Sequence, residues 1–331
     1  MRDLYLYCEQ PPGWAVYPLT IELARQLSLS GYNPIWYYWD SKQSVSNFIE
    51  HVKLNPDVLA YSGNAVAAQD LHCGMGIPRK NIAFAFHSRI EMARFYIWAG
   101  QGRIWTEEEE NNFVPNDEFY DLCNQFRRVG YLNHQHKELL SGVTNKLHTP
   151  QYVDVLRFRP TRPKTYETIR VGAAFSIRHH KHGTKGEDIL NAVVSTIEQM
   201  PDFRFDRRAL CGNDGIYGTG LPYSCMPNFF NDLDVLLCTS REEGGPLTPI
   251  QAGACGVPTV STGCGHMKEF IIEGETGFLV ESKAEDFVDR LRFLSENRAY
   301  LRSMSEKVRE HVVAHWSISS AYPQWLRLVA P

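Results

Sequence analysis

The chain has 331 residues, of which 43% are hydrophobic and 22% charged, and a formal net charge of −4. That length exceeds the size at which one hydrophobic core stops growing, and the near-average composition excludes a disordered or membrane-embedded chain. Basic residues number 15 against 17 acidic up to residue 160 and 19 against 21 beyond it, so neither half carries the overall basic excess of a nucleic-acid binder.

The opening run Leu4-Tyr5-Leu6-Tyr7-Cys8 reads as a buried strand, and Gln10-Pro11-Pro12-Gly13-Trp14 breaks it. Leu19, Leu23, Ala24 and Leu27 then recur at helical spacing. Gly31 supplies a stop, and Pro34 to Tyr38 reads as the next strand, which completes a βαβ unit. A helix near 45–52, a strand over 58–61, a turn at Ser62-Gly63-Asn64 and a strand from Ile82 to Phe86, ending in His87, continue the alternation. Strands alternating with helices imply a parallel sheet. The acidic run Glu107 to Glu110 reads as a solvated loop or a first helical turn. A strand near 129–132 and a helix carrying Lys137 to Leu140 lead to Phe158-Arg159-Pro160-Thr161-Arg162-Pro163, whose proline and arginine content marks an interdomain linker.

The second half repeats the grammar. A strand from Ile169 to Ala174, a polar loop from Ser176 to Lys185, a helix from Asp188 to Glu198 and a strand from Arg208 to Cys211 come first. The strand Asp234 to Cys238, the loop Thr239 to Pro246, a helix from about Leu247 to Ala254 and the strand Pro258 to Ser261 follow. The turns Gly263-Cys264-Gly265 and Glu273 to Gly277 precede a short strand at Phe278-Leu279-Val280, and two amphipathic helices cover 284–294 and 300–315. No run approaches the roughly 18 to 20 apolar residues of a membrane span, and Asp3 and Glu9 stand where a signal peptide is apolar. Eight cysteines without a C-x-x-C pair read as reduced thiols, so a cytoplasmic location is expected, free or peripheral to a membrane.

Two segments carry the chemistry. From Ser240 to Ser261 a strand runs into a glycine loop whose free amides face a helix N-terminus, a place for phosphate or sugar oxygens. Glu243 stands at the loop mouth, where it can accept from sugar hydroxyls. Gly244, Gly245, Pro246, Leu247 and Thr248 form the loop and first turn, and Gln251 lies two helical turns from Glu243. On spacing alone the segment is also compatible with an ordinary strand-loop-helix crossover bearing a surface glutamate. The second segment, Gly172 to Gly186, is a strand end followed by a basic loop with Arg178, Lys181 and Lys185, suited to the charge that develops on a departing diphosphate. Its alternative is a solvated basic loop. The histidines His134, His136, His179, His180 and His182 lack spaced carboxylate or cysteine partners, and Asp232 and Asp234 lead into a strand instead of following one, so no metal site is expected. His87, at a strand end, lies where parallel sheets place ligands.

With these motifs in view, the chain resembles the retaining family 4 of GT-B glycosyltransferases. The Glu243 segment is similar to the family's EGFGLxxxEAMACGxPVVAT signature, and its glycine turn, Glu and DGxTGFLV-like strand have counterparts in Gly263 to Gly265, Glu269 and Glu273 to Val280. The chain departs from the E-x7-E pattern by carrying Gln251 at the second Glu. Gly172 to Gly186 is similar to GRxxxxKG, Asn55 to Val58 to KPDVVH, Tyr152 to Pro160 to GVDxxxFxP, and Cys211-Gly212-Asn213 to VGxGP.

The resemblance implies two Rossmann-like domains facing across a cleft: an acceptor-side domain over 1–160, a nucleotide-sugar domain over 161–315, and a last helix over 316–331 packing back on the first. It implies a nucleoside-diphosphate sugar as donor, with Arg178 and Lys185 on the diphosphate, Glu243 on the sugar and His87 near the transferred sugar. Lys181, Gly212, Asn213, Gln251 and the Gly13–Trp14 loop would complete the donor site, without cofactor or metal. The acceptor stays open among a glycan, a lipid-linked sugar, a small molecule and a modified nucleic acid. Arg89, Arg94 and Arg103 are candidates to meet it, and the aromatics Trp36, Trp39, Trp98 and Trp105 are compatible both with stacking on it and with a place in the core. The oligomeric state also stays open. A nucleotide-sugar epimerase on the same fold and a non-catalytic sugar-nucleotide or glycan-binding module are the rival readings.

Overall fold

A computed structural model describes residues 2–8, 16–37, 42–101, 105–176, 183–206, 210–211, 221 and 223–330. The chain forms two compact units, Met1–Gln151 with Ala321–Pro331 and Tyr152–Ser320.

The first unit runs β1 (Arg2–Tyr7), α1 (Val16–Leu29), β2 (Tyr32–Tyr37), α2 (Lys42–Leu54), β3 (Ala60–Ser62), α3 (Ala65–Gln69), β4 (Ile82–Phe86), α4 (Arg89–Tyr96), α5 (Glu107–Asn111), α6 (Asp117–Asn124), β5 (Arg128–Tyr131), α7 (His134–Leu139) and β6 (Lys146–His148). Its six strands are parallel, in the order β2-β1-β3-β4-β5-β6, with Tyr5 opposite Ile35 and Ala60. Tyr5 is buried because its ring packs edge-on to Phe48 while its hydroxyl donates to the carbonyls of Asn55 (2.9 Å) and His51 (3.2 Å) at the end of α2. The phenol thereby finds acceptors inside the core, beside the backbone bonds that those carbonyls already take from Asn55 N and Val58 N. Phe84, Phe86, Phe95, Phe119 and Phe126 form an aromatic core beneath β4. The acidic run forms the short helix α5, started by a capping box in which Thr106 and Glu109 exchange bonds, and Glu110 pairs with Arg94 at 2.8 Å.

The second unit runs β7 (Ile169–Ala173), β8 (Phe175–Ser176), α8 (Glu187–Ile197), β9 (Phe203–Asp206), β10 (Leu210–Cys211), α9 (Met226–Asp232), β11 (Val235–Cys238), α10 (Leu247–Ala254), β12 (Thr259–Thr262), α11 (Met267–Phe270), β13 (Gly277–Val280), α12 (Ala284–Glu296) and α13 (Arg298–His315). Five parallel strands lie in the order β13-β12-β11-β7-β9, beside a parallel β8–β10 pair. The final helix, α14 (Ile318–Val329), begins in this unit and continues into the first. There Trp325 donates to the Pro150 carbonyl at 2.8 Å and meets Tyr61 edge-on, and Tyr322 donates to Gln26 and Ser30.

The first unit's leading segment ends at Gln151, and Phe158 is a core residue of the second unit, packed on Phe230, where Val153 pairs with Ser317. The second unit ends at Ser320. Phe203–Asp206 is a strand that the sequence reading passed over, and it pairs with β7 from Ile169 to Gly172. No helix among the described residues is long and apolar enough to cross a membrane.

Candidate functional site

In each sheet the strand order reverses once, and the carboxyl ends of the two strands flanking the reversal open a crevice in folds of this kind. In the second unit the reversal separates β7 from β11, since β9 lies to one side and β11 to the other. The loops that leave these two strands carry Lys185 and Glu243.

The two loops are stitched together. Thr239 Oγ1 donates to the Lys185 carbonyl at 3.0 Å, and Arg241 N donates to the Thr184 carbonyl at 2.7 Å. Gly186 sits at φ +63°, and a Cβ there would lie 2.0 Å from the Thr239 carbonyl oxygen, so only glycine permits this approach. Lys185 Nζ pairs with Glu243 Oε1, which also accepts from Ser240 Oγ at 3.2 Å. Both charged side chains are only slightly exposed. A third loop closes the arrangement: Thr262 Oγ1 donates to the Ser240 carbonyl, and Gly265 at φ +55° lies where a Cβ would meet the Glu243 carbonyl at 2.8 Å.

Gly244 and Gly245 lead into α10, whose N-cap, Pro246, supplies no side-chain bond to the first turn. Those amides and the helix dipole suit an oxyanion. Leu247 is buried, Thr248 is half-buried, and Gln251 lies buried on the same helix. The structure thus brings Lys185, Glu243, Gly244, Gly245, Pro246, Leu247 and Thr248 onto adjoining segments. Arg178, Lys181, Gly212 and Asn213 lie outside the described residues, as do Gly13, Trp14, Trp39, Arg103, His179, His180 and His182. A cavity of about 760 Å³ is lined by Arg241, Thr262, Cys264, Lys268, Leu279 and Arg290 among others.

Asp232 and Asp234 stand at the entry to β11, at the opposite end of the strand from this site. Asp232 pairs with Arg162, and Asp234 accepts from Arg170 N at 2.9 Å.

In the first unit His87 follows β4. Its Nε2 donates to the Gly63 carbonyl at 2.9 Å, which leaves Nδ1 as an acceptor in the neutral ring. Burial pushes its pKa down to about 4 against the opposing effect of that bond. Glu91, which the sequence reading passed over, holds this corner: its carboxylate accepts from His87 N and Ala65 N, both at 2.6 Å. Burial pushes its carboxyl up to about 7 despite those backbone bonds. The nearby His136 is buried and also held down to about 4, chiefly by burial. Of the aromatic candidates, Trp105 packs against the core and Trp98 is exposed. Arg89 starts α4, and Arg94 is committed to Glu110.

The sequence reading also passed over Thr239, Ser240, Arg241 and Asp188. A Ser-x-x-Glu spacing was the available signal for Ser240, whereas Arg241 and Asp188 are 53 positions apart and meet only through the sheet order.

Residues 212–311 match the family model described as glycosyl transferases group 1. D-inositol 3-phosphate glycosyltransferase of Paenarthrobacter aurescens is 30% identical over 185 residues, covering 51% of this chain and 45% of that protein. N-acetyl-alpha-D-glucosaminyl L-malate synthase of Bacillus anthracis is 35% identical over 80 residues, 24% of this chain and 21% of that protein. The chain spans less than half the length of these curated relatives. Among solved structures, sucrose-phosphate synthase from Thermosynechococcus elongatus superposes with a TM-score of 0.73 at 14% identity, over 99% of this chain and 98% of that one. Anabaena HepE in complex with UDP-glucose gives 0.67 at 12% identity, over 99% of each chain. The fold is therefore GT-B, built of two Rossmann-like domains.

Proposed function

We propose that the chain is a retaining, metal-independent glycosyltransferase that moves a sugar from a nucleoside-diphosphate sugar to an acceptor hydroxyl. The observation that carries this reading is the Lys185–Glu243 pair, a cation and an acceptor held together at the strand-order reversal above an uncapped helix N-terminus. The family match over 212–311 and the UDP-glucose complex of a protein of the same fold support the donor class.

In this reading the diphosphate lies on the amides of α10 and on Lys185, joined by Arg178 and Lys181, while Glu243 accepts from sugar hydroxyls. The bond between the anomeric carbon and the phosphate oxygen breaks, its electron pair leaves with the diphosphate, and Lys185 stabilises the charge as it develops. The acceptor oxygen bonds to the anomeric carbon on the face the phosphate leaves, and its proton passes to the departing phosphate oxygen. Lys185 and the helix amides fill the charge-balancing role that a metal takes elsewhere. Gln251 offers one acceptor and two donors toward a ribose, where a glutamate offers acceptors alone. Gly212, Asn213, Gly13, Trp14 and His87 are the remaining donor-site candidates of this reading. A cytoplasmic location, where nucleotide sugars are available, fits this reading.

Turnover measured across nucleotide sugars with cell-extract acceptors tests the proposal. Lys185→Ala and Glu243→Ala should each abolish transfer, and full activity in both would remove it. Conversion of the donor without any acceptor would favour an epimerase, and tight donor binding without transfer a binding module.

A further inference from the structure

We infer that Arg241, which lies outside the reacting groups, is a positioning residue that fixes Lys185 for the terminal phosphate of the donor. The inference rests on the donor-site reading above and adds a residue that acts through Lys185.

Arg241 grips the segment around Lys185 from both sides. Its Nη1 and Nη2 donate to Asp188 Oδ1 and Oδ2 at 2.7 and 2.6 Å, a two-pronged pair that a guanidinium makes and an ammonium cannot. Nη1 also donates to the Gly183 carbonyl at 2.9 Å, and the Arg241 amide donates to the Thr184 carbonyl at 2.7 Å. Contacts therefore fall on the two residues before Lys185 and on the third residue after it. Between them, Thr239 holds the Lys185 carbonyl and Gly186 lies against the Thr239 backbone. Asp188 stands in the first turn of α8, where a carboxylate is favoured, and the hydrogen bond from Arg241 holds its carboxyl down to about 2.

A lysine side chain has four rotatable bonds and high rotamer freedom, so an ammonium is placed only as well as its backbone is held. Arg241 supplies that hold on the same loop that carries Glu243. An exposed ion pair adds little to stability, about 0–1 kcal/mol. The grip should accordingly be read in ligand geometry rather than in the melting temperature.

Lys185 meets the terminal phosphate in this reading, so its placement sets how much tighter a nucleoside diphosphate binds than the matching monophosphate. Calorimetry on the full chain with UDP, UMP, GDP and GMP gives that ratio. Arg241→Ala should lower the ratio about tenfold with the melting temperature little changed, and Arg241→Lys should behave like it. In a Lys185→Met background Arg241→Ala should change the ratio no further. A general loosening of the loop would instead weaken mono- and diphosphate alike and leave the ratio where it was. Should Arg241→Ala fail to fold, Asp188→Asn breaks the two-pronged pair alone and should still lower the ratio. A wild-type preference retained in Arg241→Ala or Asp188→Asn overturns the inference alone, as does an equal further loss in the Lys185→Met background. A wild-type protein that binds neither diphosphate more tightly than its monophosphate overturns the donor-site reading and this inference together.

Discussion

The carboxylate of Glu91 accepts the backbone N–H of His87 at 2.6 Å and, through its other oxygen, that of Ala65 at the same distance. One side chain thus ties the turn after β4 to the start of α3 and fixes the direction in which His87 leaves its strand. Glu91→Ala strands two backbone donors in a buried corner. Each unsatisfied donor costs about 1–3 kcal/mol, so the first unit should lose roughly 2–6 kcal/mol, measured by urea unfolding. A loss within about 0.5 kcal/mol, as for an ordinary surface change, would contradict this role.

The same corner sets a pH dependence in which opposing groups compete. His87 and His136, held down to about 4 from 6.5, refuse in the folded state a proton that the unfolded chain accepts between those values, so stability falls as pH drops through that window. Glu91, pushed up to about 7 from 4.5, keeps in the folded state a proton that the unfolded chain releases, so its contribution falls as pH rises. Between about 4.5 and 6.5 two histidines oppose one carboxyl, which leaves a net loss on acidification of about 1.4 kcal/mol per pH unit. Glu91→Gln removes the opposing proton and should make the acid-side slope steeper. Urea midpoints across that window measure it, and an unchanged slope in the variant would show that Glu91 does not titrate as described.

Much of the fold was legible because both sheets bury apolar strands between helical repeats of recognisable period. Ile82–Phe86 and Val235–Cys238 read correctly for that reason, and every residue of both strands is buried. Phe203–Asp206 was missed because Arg204 and Asp206 interrupt the apolar signal in an edge strand. Phe158 was read as linker because Arg159, Pro160 and Arg162 surround it, although its own ring is fully buried. At the site, Lys185 and Glu243 were each visible in a local motif. Their pairing was not visible, because 58 residues separate them and only the adjacency of β7 and β11 brings their loops together.

The end of the chain contributes to the first unit, and Trp325 is its anchor. The ring is buried, donates to the Pro150 carbonyl and packs on Tyr61. Trp325→Ala should cost about 3–5 kcal/mol, as large-to-small core changes do. Because Trp325 belongs to the first unit, proteolysis followed by mass spectrometry should find the new cleavages within 2–151 and not within 152–320. Cleavage spread evenly over both would mean that the helix end stabilises more than its own unit.

Gly186 and Gly183 offer a paired test of how closely the two loops must approach. Both have positive φ, +63° and +88°, so alanine at either meets the strain of a left-handed backbone, about 1–2 kcal/mol. They differ in their surroundings: a Cβ at 183 meets nothing within 4 Å, whereas one at 186 would sit 2.0 Å from the Thr239 carbonyl. The atom in the way is backbone in a loop that carries Arg241 and Glu243, so no side-chain rotation relieves the clash. The segments must separate, which breaks the bonds of Thr239 to Lys185 and of Arg241 to Thr184. Gly186→Ala should therefore destabilise the second unit by about 3–5 kcal/mol more than Gly183→Ala, at about 1 kcal/mol for each of the two hydrogen bonds lost plus about 1–3 kcal/mol of overpacking. It should also abolish nucleoside diphosphate binding, which Gly183→Ala retains. Equal urea midpoints for the two variants would mean that the loops can part freely and that their stitching does not fix Lys185 beside Glu243.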